Sequence, residues 1–300
     1  MKYRTLGKTG LNVSVIGVGT WQYGGEWGQD FTVDAVCAIL DTSAEFGINL
    51  IDTAECYGDH LSELLIGQAI AGKRGQWIIA TKFGHRFHGF LNRSDRRSTA
   101  DVAKQLEDSL HALKTDYIDL YQYHSVRDSE FDDQELRDLL EKQKRAGKIR
   151  HIGNSIAGAN DGVHQGTRSG WGNVEALQVI YNRLERGKEH LFPLCHEMNL
   201  GVLARVPLAS GLLSGKYSSG AKFAKTDVRG GQDTAKLEAQ LAEVDHIREG
   251  ELPPGVDMAQ WALAWCLRNP AVSCVIPGCK SAQQAKSNAA AAELLGDLTV

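Results

Sequence analysis

Eight short apolar runs, near residues 16–20, 48–52, 77–82, 117–124, 149–154, 176–181, 201–206 and 272–276, alternate with amphipathic stretches along the chain. Strict alternation of strand and helix implies a parallel sheet, because parallel neighbours need a crossover whose helix then covers the sheet face. Ala100 to Leu113 shows the helical half: Val102, Leu106, Leu110 and Leu113 recur at helical spacing while Lys104, Glu107 and Asp108 take the other face. Further helices are predicted at 33–46, 60–71, 132–146, 188–199, 234–248, 257–268 and 281–291. Eight units without a break in rhythm favour a closed (β/α)8 TIM barrel over an open doubly wound sheet. Such a barrel typically takes about 250 residues, so the 300 present read as one domain, residues 1–300. Lys2 to Leu6 and Asn12 to Ile16, flanking Gly7-Lys8-Thr9-Gly10, predict an N-terminal β-hairpin ahead of the barrel. Ser210 to Gly230, rich in Gly, Ser and Lys, predicts a long loop between the seventh and eighth strands, and long loops at that rim carry function more often than not.

Polar residues close three successive runs: Asp52, Lys82 and His124. Counting back by twos places Leu50 and Ile48 below Asp52, Ala80 and Ile78 below Lys82, and Gln122, Leu120 and Ile118 below His124, rows of the kind that fill a barrel interior. Strands lie about 4.8 Å apart, so three neighbours span roughly 10 Å, within reach of Lys82 and of Tyr57 just after the first of these three runs. An acid, an amine, an imidazole and a phenol at one rim read as a catalytic site.

Other chemistry is excluded by what is missing. The chain is 42% hydrophobic and 23% charged with net charge −4, a balance that favours neither nucleic acid nor a membrane surface. Six cysteines without a CxxC pair suggest a reduced thiol set and a cytoplasmic protein rather than a zinc or disulfide framework. The N-terminus lacks an apolar core of signal-peptide type and no run of 18 apolar residues occurs, so neither export nor membrane insertion is expected. Gly17-Val18-Gly19-Thr20-Trp21-Gln22 lacks the third glycine of a Rossmann fingerprint, and Ser210 to Tyr217 fails the P-loop spacing. His85 and His88 have no evident third ligand, and no metal is expected.

Gly47-Ile48-Asn49-Leu50-Ile51-Asp52-Thr53-Ala54-Glu55-Cys56-Tyr57-Gly58, with Ser62-Glu63 and Gly67, resembles the aldo-keto reductases. Ala80-Thr81-Lys82, Asp116 to His124, Gly147 to Gly153, Leu177-Gln178, Tyr181-Asn182, Pro207-Leu208, Gly211 to Leu213 and Ile276-Pro277-Gly278 extend the resemblance along the chain. It implies a barrel capped by the hairpin, a nicotinamide cofactor bound without a Rossmann fold, and carbonyl reduction on a small-molecule substrate. By the same resemblance Asp52, Tyr57, Lys82 and His124 form a catalytic tetrad. Ser155 and Gln178 approach the nicotinamide carboxamide, Leu208, Gly211, Leu213 and Lys216 lie along the pyrophosphate, and Gly278, Lys280, Gln284 and Asn288 hold the adenosine end. Lys280 opens the last predicted helix, whose free backbone amides suit a phosphate, and this favours NADPH over NADH.

Residue chemistry supports the tetrad separately. The Lys82 ammonium is expected to lower the pKa of Tyr57, Asp52 to hold Lys82 charged, and a neutral His124 to orient a carbonyl. Three positions depart from the family pattern: Ile156 replaces an Asn, Arg205 stands where an aromatic residue often stacks on the nicotinamide, and Ser287 replaces a carboxylate. Trp21, Tyr23 and Trp27 are expected to wall the substrate pocket, with Phe83, Phe87 and Phe90 as a second wall. Arg86, Arg93, Arg96 and Arg97 in the third loop read first as a solvated basic face, with attraction of an anionic substrate such as a sugar phosphate or a keto acid as the lesser reading. Two other functions compete: an NADPH-binding redox-sensing subunit resembling the potassium-channel beta subunits, and a barrel enzyme using Lys82 as a Schiff-base amine. No extension for a protein partner is evident, which favours a free-standing enzyme.

Overall fold

The computed structural model describes residues 1–223, 227–231 and 233–296. β1 (Tyr3–Thr5) and β2 (Asn12–Ser14) pair antiparallel as the predicted hairpin. The barrel then runs through β3 (Val18–Gly19), β4 (Leu50–Asp52) and β5 (Ile78–Phe83). After a small hairpin of β6 (His85–Gly89) and β7 (Asn92–Asp95) it continues through β8 (Ile118–His124), β9 (Ile149–Ser155), β10 (Ala176–Ile180), β11 (Gly201–Arg205) and β12 (Cys274–Val275). The eight barrel strands are parallel and ordered as in the chain. Gly17 N–H donates to the Val275 carbonyl at 2.8 Å, Val275 N–H to Val15 at 2.9 Å and Gly19 N–H to Pro277 at 2.9 Å, which joins the last strand to the first. Closure satisfies backbone groups that an open edge would leave bare.

Helices α1 (Val33–Glu45), α2 (Leu61–Ala69), α3 (Thr99–Leu113), α4 (Asp128–Phe131), α5 (Gln134–Arg145), α6 (Val163–Thr167), α7 (Phe192–Glu197), α8 (Thr234–Gly250), α9 (Met258–Leu267) and α10 (Ala282–Ala290) fill the crossovers. Their starts follow from capping: the side-chain oxygens of Ser98, Asp133, Asp257 and Ser281 accept first-turn amides of α3, α5, α9 and α10. The predicted helix over 188–199 is a 3-10 turn, Glu189–Leu191, followed by α7. Pro193 accounts for the short second helix: it has no amide to donate, is tolerated in a first turn, and cannot lie inside a longer helix. The β6–β7 hairpin was not predicted, since its charged and aromatic residues carry no apolar alternation.

Inside the barrel, Leu50, Ala80, Leu120, Ala176, Leu203 and Cys274 pack with Leu6 and Val13 of the hairpin, which seals the floor. Gly7 has φ +51°, and a Cβ there would lie 2.1 Å from the Gly201 nitrogen, so the seal depends on backbone meeting backbone. Ile48 and Ile118 belong instead to the larger core between strands and helices, being before or at the first residue of their strands, where alternation is not yet imposed. The insertion after β11 has a core of its own, in which Leu212, Leu213, Leu237, Leu241 and Trp261 bind α8 to α9. Residues 224–226 of the predicted 210–230 loop lie outside the described residues. Among the described residues no helix is long and apolar enough to cross a membrane, and all six cysteines are free.

Candidate active site

Asp52 ends β4, Lys82 is the penultimate residue of β5 and His124 ends β8, so parallel register brings them to one rim. Lys82 Nζ donates to Asp52 Oδ2 at 2.8 Å, to the Thr53 carbonyl at 2.7 Å and to Tyr57 Oη at 3.2 Å. All three ammonium protons are thereby placed. The second Asp52 oxygen, Oδ1, accepts Gln178 Nε2 at 2.6 Å and Gln122 Nε2 at 3.4 Å, while Ser155 Oγ donates to Gln178 Oε1 at 3.1 Å. Five strands are therefore tied through one buried carboxylate. The Tyr57 ring stands edge-on to His124 with centroids 6.2 Å apart, and Trp21 stacks over Tyr57 at the same separation.

Burial pushes the Tyr57 hydroxyl up to about 12, and Lys82 only partly offsets it. This reverses the expected sign: the ring is partly open to the cleft, yet the hydroxyl lies deep enough that losing water outweighs the neighbouring ammonium. Burial alone would lower the Lys82 pKa, but Asp52 and Tyr57 more than compensate, and the amine is raised and stays charged. His124 is depressed well below the ordinary histidine range by burial and then by Lys82 and Arg205, which keeps the imidazole neutral.

Above the tetrad lies a cleft of about 580 Å³. Asp52, Tyr57 and His124 line its base, with Lys82 buried directly beneath through its bond to Tyr57. Gln178, Arg205, Leu208, Gly211, Lys216, Gly278, Lys280, Gln284 and Asn288 all reach its walls. Ser155 does not reach the cleft: it lies behind Gln178, to which its hydroxyl donates. Val206, Ala209 and Ser210 all have positive φ, a concentration of unfavourable backbone in the segment that carries one wall, which only surrounding structure can hold. Arg205 donates to the Ile156 carbonyl at 3.1 Å, while its Nε is buried without a partner. The Ile156 side chain packs into the outer core, so the departure from Asn exchanges a polar side chain for apolar packing.

Five further predicted contacts lie away from the cleft. Tyr23 does not wall the pocket: it is fully buried against Phe31, with ring centroids 4.8 Å apart, while Trp21 and Trp27 line the cleft. Trp21–Gly24 form one 3-10 turn, and residues two apart on a three-per-turn helix face different ways. Leu213 is likewise buried beneath α8 rather than along the cleft, because the insertion packs its apolar residues behind the turn. Phe83 is core, and neither Phe87 nor Phe90 lines the cleft; Arg93 does, while Arg97 pairs with Glu130.

The sequence reading missed Arg229. Its guanidinium stacks 4.1 Å from the Phe223 ring centroid, pairs with Asp227 at 2.7 Å and donates to the Ser210 carbonyl at 3.3 Å. Asp227-Val228-Arg229 inside a loop was its only signal. Together with Lys216 and Lys280 it makes a cationic end to the cleft, where burial and then Arg229 lower the Lys280 pKa. Glu55 and Gln22 were also missed, since the approach of an irregular segment to a rim leaves no periodicity, and His85, read only as half of a metal pair with His88, lines the cleft at the start of β6.

The family model described as the aldo/keto reductase family matches residues 15–298. The chain is 31% identical over 295 residues to YqkF, an uncharacterized oxidoreductase of Bacillus subtilis (strain 168), covering 97% of this chain and 91% of that one. It is 29% identical to a probable voltage-gated potassium channel subunit beta of Arabidopsis thaliana, over all of this chain and 93% of that one. Among solved structures, the aldo-keto reductase AKR11C1 of Bacillus halodurans in its holo form superposes with a TM-score of 0.81 at 32% identity, covering 98% of this chain and 91% of that one.

Proposed function

This chain belongs to the aldo/keto reductase family of oxidoreductases, and from that premise we propose that it reduces aldehydes or ketones to alcohols with NADPH, Tyr57 acting as general acid. The observation that carries the reading is the unbroken path Asp52–Lys82–Tyr57, which ends in a hydroxyl facing the cleft.

The residues fit a nicotinamide dinucleotide. Gln22 Oε1, Trp27 Nε1 and Arg205 Nε are buried without partners in or beside the cleft, as a polar ligand would require. Lys216, Arg229 and Lys280 gather positive charge beside the N-terminus of α10, where a phosphate is best placed. That grouping supports NADPH over NADH. The cofactor, when bound, supplies the hydride.

His124, neutral, faces Glu55 and Cys56 through Nδ1 and has Nε2 for the carbonyl oxygen. As the carbon is reduced, oxygen gathers negative charge near Lys82 and Tyr57, groups already in position. A hydroxyl held near 12 gives up no proton to a neutral carbonyl but does so to a developing alkoxide. Lys82 then stabilises the phenolate until solvent restores the proton.

The test is NADPH oxidation at 340 nm with short aldehydes, aromatic aldehydes, sugar phosphates and keto acids, beside Tyr57→Phe. Loss of the general acid should lower turnover on the order of 10²- to 10⁴-fold and leave NADPH affinity nearly unchanged. A variant that kept most of its activity would refute the role of Tyr57. Tight binding of NADPH without turnover on any class would instead support the redox-sensing subunit, a reading that the plant relative raises but that shares the same barrel and so is not favoured by it.

A further inference from the structure

We propose that Glu55, Cys56 and His124 form a binding site for a zinc-type divalent cation, and that its occupancy switches off the reductase. Glu55 and Cys56 lie in the turn after β4, and His124 comes from the end of β8. His124 Nδ1 is 3.6 Å from Glu55 Oε2 and 3.7 Å from Cys56 Sγ, and the three ligand atoms lie within 4.8 Å of one another. Zinc bonds of about 2.0–2.3 Å in tetrahedral array set ligand atoms roughly 3.4–3.6 Å apart. Two of the three separations need to contract by only tenths of an ångström.

The carboxylate is the independent sign of a ligand. Glu55 is almost wholly buried; its Oε1 accepts the His85 amide at 2.8 Å, which fixes the group, while Oε2 has no hydrogen-bond partner and points towards the imidazole. A buried carboxylate oxygen without a partner carries a cost that a cation would remove. Nitrogen, sulfur and oxygen together suit zinc or cobalt and not magnesium or calcium, which take oxygen alone. On coordination the thiol passes its proton to solvent, so one thiolate and one carboxylate balance the two charges of the ion. Lys82, Arg205, Arg93 and Arg97 oppose the cation, but Arg93 is paired with Glu26 and Arg97 with Glu130. Three protein ligands leave a fourth position, and both Cys56 and His124 border the cleft. Water or substrate oxygen would complete the shell, with the imidazole held by the metal instead of free to orient a carbonyl.

Cobalt(II) serves as the probe. Titrated into the whole protein, it should produce the near-ultraviolet thiolate charge-transfer band and visible bands of tetrahedral cobalt, both abolished by added Zn²⁺. Cys56→Ser should lose the charge-transfer band. Glu55→Gln, which keeps the acceptor for the His85 amide, should weaken cobalt affinity about tenfold or more, since even outer partners of a metal ligand are worth that much. Zn²⁺ should inhibit carbonyl reduction by the wild type, with activity restored by chelator, and inhibit Cys56→Ser far less. Absence of the band, or equal inhibition of both proteins, would overturn the proposal. The spectrum needs neither NADPH nor a substrate, so it fails or succeeds independently of the reductase reading.

Discussion

At Tyr57 two influences of opposite sign act on one proton, and the larger is the loss of water. Sequence gives the neighbours of a tyrosine but not its depth, so the Lys82 contribution was legible and the burial that exceeds it was not. The same limit applies to Tyr23 and Leu213, where residue type suggested a wall and local winding turned the side chain into the core. By contrast Asp52, Lys82 and His124 were legible because strand parity is rigid: once a run is a strand, its last inward residue is fixed. Arg205 supplies a prediction at this scale. Its deeply buried guanidinium, with no carboxylate bound to it among the described residues, should disfavour oxidised nicotinamide, itself cationic, relative to the neutral reduced form. Arg205→Tyr should therefore narrow the gap between NADP⁺ and NADPH affinities in a fluorescence titration, and an unchanged ratio would dismiss the idea.

At the scale of elements, the proposed preference for NADPH rests on α10 and the loop beside it. α10 begins after Ser281, which accepts the Gln284 amide, and Lys280 stands just ahead of it with Nζ 3.3 Å from the Trp27 carbonyl. Lys280→Ala removes one of three cations at that end and should weaken NADPH by about tenfold, roughly the 1.4 kcal/mol of one charge-assisted contact, while NADH affinity stays level. Equal loss for both cofactors would mean that Lys280 does not read the extra phosphate. The helix was legible from its apolar spacing, and so was the lysine at its start. Arg229 was not, because the loop that carries it is fixed by stacking on Phe223 and by an Asp227 pair rather than by any repeating pattern. Periodic elements announce themselves in sequence; the segments that lean on them do not.

For the molecule as a whole, protonation of the site opposes folding. Burial, and then the nearby His124, lower the His85 pKa to about 4, and burial holds His124 well below the ordinary histidine range as well. An unfolded chain takes up protons at these histidines near pH 6.5, which the folded protein refuses until much lower pH. Stability from His85 is therefore complete above about 6.5, falls as pH drops, and is gone below about 4, a loss on the order of 3 kcal/mol. His60 works the other way: burial lowers its pKa, but its 2.5 Å contact with Glu63 raises it more, so its contribution is present below 6.5 and fades as pH rises. Two depressed histidines against one raised give a net decline. Urea unfolding of the cofactor-free protein at pH 7.5 and 4.5 should show it, and His85→Gln should flatten the slope. A pH-independent midpoint would contradict the burial of both rings. Topology was the most legible level of all, since eight alternations leave a barrel few rivals, and only the final hydrogen bonds from Val275 to the first strand were needed to close it.

The hairpin floor has one more consequence. With Leu6 seated among Leu50, Ala80, Leu120 and Leu203, the barrel floor is closed among the described residues. Asp52 is then reached from the cleft side, so on the proposed reading two visitors would form a queue: the deeper one would be detained until the shallower departs, and the order of arrival would dictate the order of exit.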